Sequence, residues 1–253
     1  MKPYRLAAGC ALALAGLFAC ASQPGFAAST SQSSPSAAPA PLSPQERGDV
    51  FLARGEYQAA IEAYREAPQS AEILNKTGIA YQHLGAIGLA RRNYQKALAL
   101  RHDFPEAMNN LGSAWFADRN YKKAIKLYLR ARRMMPDSAV IAANLGTAYF
   151  ARGKYQPGLD EYRAAFRLDP DVFSNQDNAM ISGPTNQIDR AQQDFCIAEL
   201  FAQAGMQARA IEYLRKALDE GFTNRHAILQ NADFSKLRQN SEFAMLMHEQ
   251  QLH

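Results

Sequence analysis

The chain has 253 residues, of which 47% are hydrophobic, so it can bury a sizeable core, and that composition excludes a wholly disordered chain. Its formal charge is only +4, and two of the positive charges, Lys2 and Arg5, sit at the extreme amino terminus, so nothing points to an electrostatically driven nucleic-acid binder. Three cysteines are present; Cys10 and Cys20 lie near the amino terminus and leave Cys196 alone, which excludes a disulfide-stapled body.

Met1–Arg5 is basic and Leu6–Ala19 is apolar, too short to span a bilayer comfortably but with the layout of a secretory signal over residues 1–19. Residues 21–44 are rich in Ser, Ala, Pro and Gln and carry no charge, the composition of a flexible spacer. Two processing routes fit. Leu17-Phe18-Ala19-Cys20 resembles the bacterial lipobox, which would make Cys20 the lipid-bearing first residue, with 20–43 as a tether. Ala19-Cys20-Ala21 also satisfies the small-x-small rule for ordinary cleavage, which would give a soluble periplasmic or secreted protein. The uncharged tether favours the lipid anchor, and by resemblance Ala21 implies sorting to the periplasmic face of the outer membrane.

A folded domain is predicted from Ser43-Pro44-Gln45-Glu46, which reads as a helix capping box with proline in the first turn. Beyond it the chain is periodic. Gly78, Gly112 and Gly146 stand 34 residues apart. Each is followed by an aromatic at +3 (Tyr81, Trp115, Tyr149), a small residue at +12 (Ala90, Ala124, Gly158), tyrosine at +16 (Tyr94, Tyr128, Tyr162) and alanine at +19 (Ala97, Ala131, Ala165). Pro136 and Pro170 close the last two units. A degenerate, shorter copy runs through Gly48, Phe51, Tyr57, Ala60 and Tyr64, and another through Ala198, Phe201, Gly205, Ala210, Leu214 and Ala217.

This pattern resembles the tetratricopeptide-repeat (TPR) family over residues 44–220. The resemblance implies an all-α fold, an α-solenoid of helix-turn-helix repeats, in which small residues let helix A and helix B of each repeat approach closely. The spacing to the last copy leaves an insertion at 171–189, rich in Asn, Ser, Gly, Pro and Gln and predicted to be mobile. Residues 221–253 offer Phe222, Leu229, Phe234, Leu237, Phe243 and Leu246 to cover the last repeat as a helical cap.

Catalytic inventory is thin. The five histidines show no zinc-ligand spacing with a carboxylate partner, and no glycine-rich phosphate loop occurs. We therefore expect no enzyme, cofactor, metal or small-molecule substrate; the rival reading is a periplasmic enzyme or enzyme subunit using Cys196 or a histidine. Lys122, Lys123, Lys126, Arg130, Arg132 and Arg133 form a basic stretch on a predicted outer helix, read as a solvated face or a contact for anionic lipid headgroups.

The resemblance implies a protein partner held as a peptide or helix against the inner, concave surface formed by the A helices. By register the inward positions are Asp49, Leu52, Asn75, Ile79, Gln82, Asn109, Ser113, Phe116, Ala143, Thr147 and Phe150. Ile79, Ser113 and Thr147 replace the residues of a carboxylate clamp, so apolar anchoring by Phe116 and Phe150 with amide side chains is expected. Lipoproteins of this build act, by resemblance, in envelope assembly, pilus or secretin biogenesis and recruitment of cell-wall enzymes.

Overall fold

A computed structural model describes residues 41–173 and 187–249. The predicted signal, the tether up to residue 40 and most of the insertion lie outside the described residues. The described chain is helical, with helices packed as successive antiparallel pairs. The A and B helices of the first four pairs are α1 (Pro44–Ala53) with α2 (Tyr57–Glu66), α3 (Ala71–His83) with α4 (Ile87–Leu100), α5 (Pro105–Ala117) with α6 (Tyr121–Met134), and α7 (Ala139–Phe150) with α8 (Tyr155–Leu168). The fifth pair is α9 (Gln187–Gln203) with α10 (Gln207–Asp219); α11 (Arg225–Gln230), two short 3-10 turns and α12 (Ser241–Glu249) follow.

Local chemistry sets the helix starts. The Ser43 side chain accepts from the Glu46 amide, and the Glu46 carboxylate accepts from the Ser43 amide at 2.8 Å, completing the capping box. Ser70 and Ser138 cap α3 and α7 in the same sense, and Asn120 caps α6. Each A-to-B turn passes through one residue in the left-handed region. Glycine fills that place at Gly55, Gly85, Gly153 and Gly205, but the third repeat puts Arg119 there at φ 57. A side chain at that φ costs about 1–2 kcal/mol, which the surrounding helix packing must offset.

Within each of the first four pairs the helices meet at a glycine. A Cβ on Gly48, Gly78, Gly112 or Gly146 would lie 2.4–2.6 Å from the ring of Tyr64, Tyr94, Tyr128 or Tyr162 on the partner helix. All four rings are fully buried. The fifth pair has Ala198 and Leu214 at these two positions, both buried, so the smaller partner leaves room for a methyl group.

The carboxyl-terminal segment packs on the fifth pair. Phe234, Leu237, Phe243 and Leu246 are buried in one cluster with Phe201, Ile211 and Leu214. Phe222 is half-buried against it, and Ile228 takes the inward place expected of Leu229, which is exposed. Asn224 caps α11 through the Ala227 amide, which fixes the helix phase that turns Ile228 inward.

The first residues of the insertion are also packed, contrary to the expected mobility. Val172 is fully buried beside Ala142, Ala143 and Ala165, and the Tyr213 hydroxyl donates to the Phe173 carbonyl at 2.6 Å. At its other end, residues 187–189 already belong to α9.

The ring-on-glycine contact makes a test. Gly112→Ala is expected to destabilise the protein by about 1–3 kcal/mol through overpacking. Adding Tyr128→Leu, the pairing used by Ala198 and Leu214, should recover part of that loss. Urea denaturation of both single variants and the double variant measures the coupling; strict additivity would show that the two sites are independent.

Candidate protein-docking surface

The A helices of successive repeats touch one another, α1 on α3, α3 on α5, α5 on α7 and α7 on α9, and successive outer helices from α2 to α8 pack less closely. Such an array curves toward its A side, so the inner face is built from one stripe of each A helix.

That stripe divides into an open part and a sealed part. Leu52, Ile79, Gln82 and Asn110 are half-exposed on α1, α3 and α5, as are Asp49 and Lys76. Lys76 Nζ donates to both Asp49 oxygens at 2.7 and 2.8 Å, and the Tyr64 hydroxyl donates to Asp49 Oδ1 at 2.7 Å. Burial pushes the Asp49 carboxyl up, but the Lys76 and Tyr64 bonds outweigh it and hold the group below the usual carboxylate range. The open part thus offers two aliphatic side chains, two amides and one internally paired charge couple.

Further along, the positions expected to read a partner are used by the fold. The register position after the glycine receives the buried tyrosine: Tyr128 donates to Ser113 Oγ at 3.1 Å, and the Tyr162 and Thr147 hydroxyls are 2.9 Å apart. In the second repeat that position is Ile79, which has no acceptor, and Tyr94 donates instead to Gln82 Oε1 at 3.1 Å. Asn75 and Asn109, only 7% and 6% exposed, join neighbouring repeats. Asn110 donates to Asn75 and Asn144 to Asn109, both at 3.0 Å. Buried amides without such partners would cost about 1–3 kcal/mol each, so these bonds bind one A helix to the next.

Phe116 and Phe150 correct the sequence reading. Both are 0% exposed and are not inner-face anchors. Each ring turns back between its own A and B helices, Phe116 against Tyr121 at 5.0 Å and Phe150 against Tyr162 at 5.0 Å. Phe150 fills the space over Gly158, where a Cβ would lie 2.8 Å from the ring. Ala143 is likewise buried, and α7 from Ile141 to Ala148 presents nothing to the inner face. Lys76 and Asn110 were missed as open groove positions; both stand two residues before the marker glycine, a register offset that could have identified them.

Cys196 lacks the setting of an activated nucleophile. It is buried, and burial pushes its thiol up to about 12, so it is a neutral thiol near pH 7. Two residues earlier on α9, burial first and then the Glu220 carboxylate raise Asp194 to about 7, against the opposing pull of Lys216 and Arg190. Among the described residues, no group of three His, Cys, Asp or Glu is placed to hold a metal ion, and no helix is long and apolar enough to cross a membrane.

Residues 75–139 match the model of the tetratricopeptide repeat family. Among solved structures, the chain is similar to MamA at 24% identity and a TM-score of 0.48, over 68% of this chain and 93% of that one. It is similar to YrrB, described as a TPR protein with an unusual peptide-binding site, at 19% identity and a TM-score of 0.45, over 50% of this chain and 67% of that one. It is also similar to Cut9–Hcn1 of the APC/C at 20% identity and a TM-score of 0.52, over 81% of this chain and 35% of that one. This last likeness is one of fold.

The Asp194 environment predicts a pH response. A carboxyl whose folded pKa is raised favours the folded state while protonated; that contribution is present below the unfolded value near 4 and lost as pH rises through about 7. Asp194→Asn should therefore gain on the order of 2 kcal/mol over wild type at pH 8 and little at pH 4, read from urea midpoints. An equal change at both pH values would rule out the carboxyl as the source.

Proposed function

We propose that this chain, which belongs to the tetratricopeptide-repeat family, works as a protein-interaction scaffold that holds a peptide or helix of a partner against the inner faces of α1, α3 and α5. The observation that carries this reading is the set of inner-face side chains left open by the fold, Leu52, Ile79, Gln82 and Asn110, beside positions of equivalent register that are sealed. Leu52 and Ile79 supply apolar contact, while Gln82 and Asn110 can bond a partner's backbone. The Asp49–Lys76 couple is already satisfied internally, so a partner gains little by bringing a single opposite charge to either member.

A photoreactive residue at Gln82 should form an adduct with a partner protein, identified by mass spectrometry, and Ile79→Arg should abolish that adduct while leaving the helical circular dichroism unchanged. Equal adducts from Gln82 and from the exposed outer position Glu212 would count against an inner-face site.

The finer setting is the cell envelope, with the chain exported and anchored through lipid on Cys20 at the periplasmic face of the outer membrane. The basic start, the apolar run Leu6–Ala19, the lipobox-like Leu17-Phe18-Ala19-Cys20 and the uncharged tether support this reading. A palmitate analogue fed to expressing cells should label the wild type and not Cys20→Ala. A chain cleaved elsewhere and unlabelled in both cases would end the lipid assignment.

A further inference from the structure

The outer side of the array has a feature that the inner face does not use. Three cationic residues stand on α4 and six on α6, and neither helix carries an acidic one. Their counterparts are mixed: α2 has Glu62 and Glu66 beside Arg65, and α8 has Asp160 and Glu161 beside Arg163 and Arg167. Arg91 pairs with Asp118 and Arg132 with Glu161. Arg92, Lys96, Lys122, Lys126, Arg130 and Arg133 are exposed and have no carboxylate within 4.0 Å among the described residues. Lys122, Lys126, Arg130 and Arg133 share one helix face, where like charges repel. A merely solvated face gains nothing from such segregation.

Between these two helices runs an apolar furrow of about 320 Å³. Leu111 of α5 lies on its floor, Leu98 and Leu127 form its walls, and Gln95, His102 and Arg130 stand on its rim. Toward the other end of the two helices, Trp115 lies between Arg91 at 4.4 Å and Lys123 at 3.9 Å. Arg132 and Glu161 bridge α6 to α8, but no ion pair among the described residues bridges α4 to α6. The furrow is therefore open and apolar at its base, with Arg130 on its rim and Lys126 one turn before it on the same helix.

We propose that the outer face of α4 and α6 docks an acidic amphipathic segment of a partner protein. An apolar side chain of that segment enters the furrow over Leu111, and its carboxylates meet Lys126 and Arg130. Charge complementarity sets the sign of the partner, and the recessed apolar floor sets its class. A plane of anionic lipid headgroups would meet the cations but would not reach Leu111, whereas a side chain projecting from a peptide reaches both. This surface lies on the opposite side of the repeats from α1, α3 and α5 inner positions, so the two sites can be tested separately.

The probe is a fluorescein-labelled designed helical peptide with leucines at i and i+4 and glutamates elsewhere, titrated with the full chain by fluorescence anisotropy. Replacing its glutamates by glutamine, or its leucines by serine, should each weaken binding about tenfold or more. The double charge reversal Lys126→Glu, Arg130→Glu should do the same, as should Ala99→Trp, which fills the furrow from an exposed position. Circular dichroism should match the wild type in both variants, and the Gln82 adduct should persist in them. Equal binding of the serine peptide, or no effect of Ala99→Trp, would overturn the furrow as the site. Binding to phosphatidylglycerol vesicles that is lost on charge reversal, with no binding of the peptide, would replace the protein partner by a lipid surface.

Discussion

In the first four repeats a tyrosine ring lies against the backbone of a glycine on the facing helix, with no room for a methyl group between them. That contact sets how closely each A and B helix can approach, and the rest of the array follows from it. Close approach buries the ring, burial demands a partner for its hydroxyl, and the nearest polar atoms are on the inner stripe of helix A. A packing requirement at the centre of the repeat therefore reaches the surface that faces a partner. The fifth pair, with Ala198 and Leu214, escapes the requirement because leucine has no hydroxyl to satisfy and is smaller than tyrosine.

The same logic links one repeat to the next. Asn75, Asn109, Asn110 and Asn144 form bonds that step from α3 to α5 to α7, so the inner stripe is partly a seam between helices. Burying amides is unfavourable unless they are paired, and pairing across repeats fixes the offset of one A helix against its neighbour. What remains for recognition is Leu52 and Ile79, which neither the tyrosine nor the seam requires, with the half-exposed amides of Gln82 and Asn110, each of which gives the fold only part of its bonding capacity.

Much of the architecture was legible because glycine, tyrosine and alanine recur at fixed offsets and because proline and serine mark helix boundaries. The inner face was less legible. Leu52, Gln82, Phe116 and Phe150 share one register position, yet the first two are open and the last two are sealed. The difference follows the side chain itself: both sealed positions hold phenylalanine, whose ring folds back between the two helices, against Tyr121 for Phe116 and over Gly158 for Phe150. A single helical register assigns a direction to the side chain's Cα–Cβ bond but not the rotamer that carries a ring back into the core. The choice of Ile228 over Leu229 is of the same kind, since one residue of phase decides which adjacent aliphatic side chain is inside. The basic stretch on α6 was visible as charge, but the furrow beside it depends on Leu98 and Leu111 from two other helices.

The division of the inner stripe has a bearing on how such a surface can diversify. In the third and fourth repeats the residue after the glycine is bonded to a buried tyrosine, and the aromatic three positions later is wholly interior. Most replacements there would be filtered by stability before their effect on recognition could matter. In the first two repeats the equivalent places hold an aspartate and a glutamine, which also take a tyrosine hydroxyl, and a leucine and an isoleucine, which take none, but all four are partly in solvent. Mutational tolerance is thus graded along the array, and the amino-terminal repeats are where a lineage could change its partner without first redesigning its core.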